Sequence, residues 1–144
     1  MFGIENSKDR LNQLKENFKS LQKDSLNISL AEKTCSDAWH LIDWVYEEKK
    51  IEDSSLTKQN FRIFVYNNCN QMKILHDLVN SFKHKKLTSP KVHIKKTITK
   101  QGDFSGIFSN DFNISRLEIY YGNQSKISVN ELIKTTIGFW EKLI

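Results

Sequence analysis

Apolar residues recur with a helical period through the first part of the chain. Leu11, Leu14, Phe18 and Leu21 are spaced three, four and three apart, which places them on one stripe of a helix. "SLNIS" interrupts the pattern. "SLAE", residues 29–32, then reads as a capping box in which Ser29 is the N-cap and Glu32 reaches back to it. The stripe Ala31, Cys35, Ala38, Ile42 and Val45, widened by Trp39, Leu41 and Tyr46, carries that helix to about residue 50. Phe61, Phe64 and Val65 predict a third helix over about 56–66, and "NNCN" supplies a turn. A fourth helix is expected over about 71–86, with Met72, Leu75, Leu78, Val79 and Phe82 on its apolar arc.

After Pro90 the period drops to two. "KVHIKKTITK" sets Val92, Ile94 and Ile98 on one face and His93, Lys95 and Thr97 on the other, the pattern of a strand. "QGD" is a turn, "FSGIF" a second strand, and "SRLEIYYG" a third with Leu117, Ile119 and Tyr121 on one face. "GNQS" turns the chain again. "SVNE", residues 128–131, is a second capping box, and it opens a helix with Val129, Leu132, Ile133, Ile137 and Trp140 facing inward. The expected fold is α+β and mainly helical. An up-down bundle spans about 5–86, a small antiparallel sheet about 91–127 and a C-terminal helix about 129–143, all in one domain over 1–144.

The 144 residues suffice for one core, and a single Pro with five Gly leaves no room for a flexible linker. No apolar run approaches the roughly 20 residues that span a bilayer. The first ten residues lack a basic stretch followed by an apolar one, so a cytoplasmic protein without a membrane partner is expected. Cys35 and Cys69 lack metal-type spacing and read as two reduced thiols.

Charge changes this picture locally. The net charge is +5, yet residues 83–100 hold seven lysines and no acid, so the remainder of the chain sums to −2. Such a segment suits RNA or another polyanion, with Lys85, Lys86, Lys91, His93, Lys95, Lys96 and Lys100 as the binding residues. The competing explanation is that lysines on an edge strand deter aggregation.

The segment begins on the fourth helix. At about 100° per residue, with His76 at 0°, Asn80 falls near 40°, His84 near 80°, Asp77 near 100° and Lys83 near 340°, a continuous polar stripe beside the apolar arc. His84 and His76 are the residue types for acid–base chemistry there, with Asn80 and Lys83 to hold a phosphate. A second polar group, His40, Asp43 and Glu47, falls within about 60° on the second helix and could supply mixed nitrogen and oxygen ligands to a metal. Trp44 lies opposite that helix's core stripe, so it is expected at an interface, where it would cover another helix, dimerise or stack a base. The chain lacks GxSxG, P-loop, GxGxxG, zinc-finger and RNA-recognition signatures, and no cofactor is expected.

Four helices carrying "VNSFKH" resemble the HEPN superfamily, small helical bacterial proteins of toxin–antitoxin and phage-defence systems. Asn80 and His84 match the family's Asn and His, while Val79 stands where the family has Arg and Lys83 is the nearby cation that would replace it. The resemblance covers at most the first 86 residues. It implies a homodimer with two motifs facing one cleft, RNA binding and, in many members, RNA cleavage. Two alternatives belong to other classes: a non-catalytic helical accessory subunit that binds a protein partner through Trp44 and the polar stripe, and a metal-dependent enzyme using His40 and Asp43.

Overall fold

The structure is a computed structural model that describes residues 1–87, 89–100 and 116–144. Among these residues the chain forms five helices and one three-stranded antiparallel sheet. The order is α1 (Ser7–Lys23), α2 (Ile28–Glu52), α3 (Lys58–Asn68), α4 (Gln71–Ser81), β1 (Ile94–Lys100), β2 (Arg116–Tyr121), β3 (Ser125–Ser128) and α5 (Val129–Leu143). This is the expected mainly helical α+β fold, with the sheet placed before the last helix. None of the helices is long and apolar enough to cross a membrane.

The apolar stripes build the core as their spacing requires. Leu14, Leu21, Ala38, Met72, Leu75, Leu132, Ile133 and Trp140 are fully buried, and the α2 stripe is buried along its length. α2 packs against each of the other four helices, while α5 touches α1, α2, α4 and the strands β2 and β3. α5 is keyed to α2 by a hydrogen bond from Trp140 Nε1 to the Ala38 carbonyl at 3.0 Å. Phe64 departs from expectation: it lies on the outer side of α3, 43% exposed. Cys35 and Cys69 are free and buried, and burial pushes the Cys35 thiol up to about 12, so it stays protonated.

Helix starts follow capping chemistry, though not always at the residue expected. Ser128 accepts from the Glu131 N–H at 3.1 Å and caps α5 as predicted. α2 instead is capped two residues before Ser29, by Asn27, whose side chain accepts from the Leu30 N–H at 3.0 Å. Ser29 therefore lies inside the first turn. Asn and Ser are near-equal caps, so sequence alone ranks them poorly.

The sheet order is β1–β2–β3. Leu117, Ile119 and Tyr121 face the core as expected, with Ile119 fully buried. β3 pairs Ile127 with Ile119 and was not foreseen, since four residues are too few to show an alternation. The predicted "QGD" turn and "FSGIF" strand lie outside the described residues. Strand β1 corrects the expected alternation. Ile94 stands opposite Tyr121 and Lys96 opposite Tyr120, so one extra residue, Lys95, sits in a β-bulge. Ile94 thus shares the core face with Tyr121, whereas Ile98, opposite Glu118, is on the other face. A bulge reverses which side a residue points to, and a period-two reading has no term for it.

Candidate functional site

α4 ends five residues earlier than its periodicity suggests. The Ser81 hydroxyl donates to the Leu78 carbonyl, and the Phe82 and Lys83 N–H groups take i−3 carbonyls, so the last turn tightens and stops. His84 is therefore not on the helix. It still returns to its expected neighbours, because its N–H donates to the Asn80 carbonyl at 3.0 Å.

His76, Asn80 and His84 line one cleft of about 280 Å³, together with Lys86 and Lys91, with Leu87 and Ser89 completing the rim. No carboxylate lines it among the described residues. Lys83, expected in this group, is exposed and does not line the cleft. Asp77 corrects the helical wheel more sharply. Expected on the polar stripe, it is 1% exposed, and its carboxylate accepts from the Lys91 N–H at 2.7 and 2.8 Å and from the Val92 N–H at 2.7 Å. Asp77 thus ties the far wall of the cleft to α4. A single acid on a helix whose other inward positions are apolar was the one signal for it.

His76 is held on three sides. Its ring stacks on Trp39 with centroids 4.2 Å apart and planes 10° from parallel. Its Nδ1 is 2.6 Å from the Tyr66 hydroxyl. Arg62 reaches over the Trp39 ring from α3. Burial and then the Arg62 charge push the His76 pKa below the usual 6.5, with Lys91 adding to them and Asp77 opposing. Burial raises the Tyr66 phenol to about 12, so it keeps its proton. None of Trp39, Tyr66 or Arg62 was legible as part of a site, since the contacts join three helices.

A pH effect follows from the lowered His76 pKa. The unfolded chain takes up this proton more readily than the folded one, so the contribution to stability is present above about pH 6.5 and is lost as pH falls below that value through the lower pKa of the folded state. We expect the urea midpoint to fall between about pH 7.5 and about pH 5.5, and His76→Phe, which keeps a ring on Trp39, to flatten that dependence. Equal pH dependence in both proteins would show that His76 is not the group responsible.

The basic segment is divided between surfaces. Lys86 and Lys91 face the cleft, and Lys85 and Lys95 are exposed. His93 adopts φ 54°, a left-handed conformation that turns the chain into β1. Lys96 and Lys100 lie on the outer face of the sheet. Lys96 Nζ sits 4.9 Å over the Tyr120 ring. Lys100 is 3.7 Å from Glu118, a 2% exposed carboxylate that also meets Arg116 at 3.1 Å and Lys126 at 3.7 Å. Lys100 is therefore engaged by an internal acid.

The residues proposed for metal do not converge. His40 Nδ1 is 4.0 Å from Asp43, and Asp43 is paired with Lys58 at 3.0 Å. No group of three or more metal-ligating side chains occurs among the described residues. Trp44 is partly covered, with the Arg10 guanidinium 4.8 Å above its ring. Together with Glu47 it lines a shallow acidic groove rather than standing alone.

No protein-family model, curated protein or solved structure matches the chain.

Proposed function

We propose that the chain binds RNA and grips a phosphate in the cleft beside α4. The observation that carries this reading is the lining itself: two histidines, an asparagine and two lysines converge with no carboxylate among them. Such a surface is complementary to an anion and holds several hydrogen-bond donors for phosphate oxygens. Asn80 and His84, the residues through which the chain resembles HEPN proteins, both line it, which supports the same reading. His84 is the residue assigned proton transfer if the RNA is cut, since it lies at the mouth of the lysine-rich segment.

Binding of a short single-stranded RNA, measured between about 50 and 200 mM salt, tests this. The logarithm of the affinity should fall linearly with the logarithm of salt, and Lys86→Ala and Lys91→Ala should each reduce that slope by about one. Absence of binding at the lowest salt, or a slope indifferent to both substitutions, would leave the lysines as solubility residues. The same samples run on a gel address cleavage. RNA cut by the wild type and left whole by His84→Ala, at unchanged melting temperature, assigns His84 the proton transfer; intact RNA throughout assigns the cleft to binding alone. The homodimer implied by the resemblance is checked by the mass in solution.

A further inference from the structure

We propose that Tyr66 and Trp39 hold His76 as the tautomer protonated on Nε2, which makes His76 a fixed hydrogen-bond donor to a phosphate oxygen in the cleft. The inference rests on reading the cleft as a phosphate site and assigns Tyr66, on a different helix, as the positioning residue.

The geometry separates the two ways in which the Tyr66–His76 contact could be made. The contact is a short hydrogen bond of 2.6 Å, and of the two groups the phenol O–H is the stronger donor and the bare imidazole nitrogen the stronger acceptor. The phenol therefore donates and Nδ1 accepts. Tyr66 hydroxyl has no other partner among the described residues, so the opposite arrangement would leave its proton unpaired in a half-buried place. With Nδ1 occupied as an acceptor, a neutral imidazole must carry its hydrogen on Nε2. The doubly protonated ring would need Nδ1 to donate at this same short distance.

The surroundings act in the same direction. The titratable and charged groups facing the ring are Arg62 and Tyr66 from α3, Asp77 from α4 itself and Lys91 from the loop, while α2 contributes only the Trp39 face. Two cations oppose a positive ring and one carboxylate favours it. That carboxylate already accepts from the Lys91 and Val92 N–H groups. Nε2 has no hydrogen-bond partner among the described residues, yet His76 lines the cleft beside Asn80 and His84. The Trp39 stack fixes the plane of the ring, so the donor has one direction. Positive charge in the cleft comes from Lys86 and Lys91, and His76 supplies a neutral donor alongside them.

Nitrogen-15 NMR of the histidine rings, recorded at about pH 7.5, above the ordinary histidine pKa, tests the proposal. In the wild type, His76 should show a bare Nδ1 and a protonated Nε2. In Tyr66→Phe, which removes one oxygen from the contact, the ring should become a mixture of both tautomers. Added inorganic phosphate should shift the wild-type Nε2 signal. His76→Phe, followed at the Asn80 side-chain amide, should bind phosphate roughly tenfold more weakly, the loss expected for one hydrogen bond to a charged group. A protonated Nδ1 in the wild type, a tautomer unmoved in Tyr66→Phe, or a Nε2 signal indifferent to phosphate would each overturn it. Should His76→Phe fail to fold, the tautomer in Tyr66→Phe and the wild-type phosphate titration carry the test. RNA that binds while phosphate leaves His76 unmoved overturns this inference and spares the RNA reading. Phosphate that shifts His76 in a protein that binds no RNA does the reverse.

Discussion

Asp77→Ala is expected to destabilise the fold by about 2–4 kcal/mol and to open one wall of the cleft. Its carboxylate is almost fully buried and accepts from two consecutive backbone N–H groups, those of Lys91 and Val92, at 2.7–2.8 Å. Hydrogen bonds to a charged group contribute roughly 1.5–3 kcal/mol each, and truncation leaves both donors without their acceptor. The loss has a local signature as well. Amide hydrogen exchange at Lys91 and Val92 should lose its protection in Asp77→Ala, while that of α5 changes only as much as global stability falls. Because Lys91 also lines the cleft, RNA affinity should drop although Asp77 touches no ligand. Asp77→Asn keeps one oxygen acceptor and should fall between the two proteins. A substitution within about 0.5 kcal/mol of wild type, the usual surface range, would show that the carboxylate does not bear on the loop.

Trp140→Ala should have the largest effect on stability alone, about 3–5 kcal/mol, the usual cost of truncating a buried Trp. The indole is fully buried where α5 meets α2, and edge-on to Phe139 at 5.0 Å. It makes one specific bond, from Nε1 to the Ala38 carbonyl at 3.0 Å. The drop in Tm should be on the order of 10 °C for a chain of this size. Trp140→Phe separates the two contributions: it keeps most of the apolar volume, removes the donor and should cost distinctly less. An unfolding free energy of Trp140→Ala, measured in urea, within about 1 kcal/mol of wild type would mean that α5 is not seated on α2.

How far the sequence could be read follows from which physical signal each element sends. α1, α2 and α5 each show a long stripe of period 3.6, and the residues on those stripes are buried except for Phe18, which is half-buried. α4 was recognised but drawn too long, because Phe82 continues the apolar arc and hides a stop made by a Ser81 hydroxyl bonding backward. The cleft was partly legible: the i, i+4 relation of His76 and Asn80 is a helical property, and both do line it. That His84 joins them through a turn rather than through the helix could not be foreseen from spacing. Asp77 was misplaced because a helical wheel reports direction and not what arrives from elsewhere in the chain. The residues that tether it are fourteen and fifteen positions away. Trp39, Tyr66 and Arg62 were invisible as site residues for the same reason. On β1 the alternation was real, but the bulge at Lys95 changed its phase midway.

The central place of α2 also sets an order of events during synthesis. α2 finds α1, α3 and α4 among its near neighbours in sequence, so those pairings are available early and close short loops. The seat for Trp140 is different, since its partner Ala38 was made 102 residues before it. While the ribosome is still translating the sheet, the side of α2 that α5 will cover remains open apolar surface. Until α5 is made, any core that the first four helices form lacks its last member, and the surface of α2 that Trp140 covers has no partner from this chain.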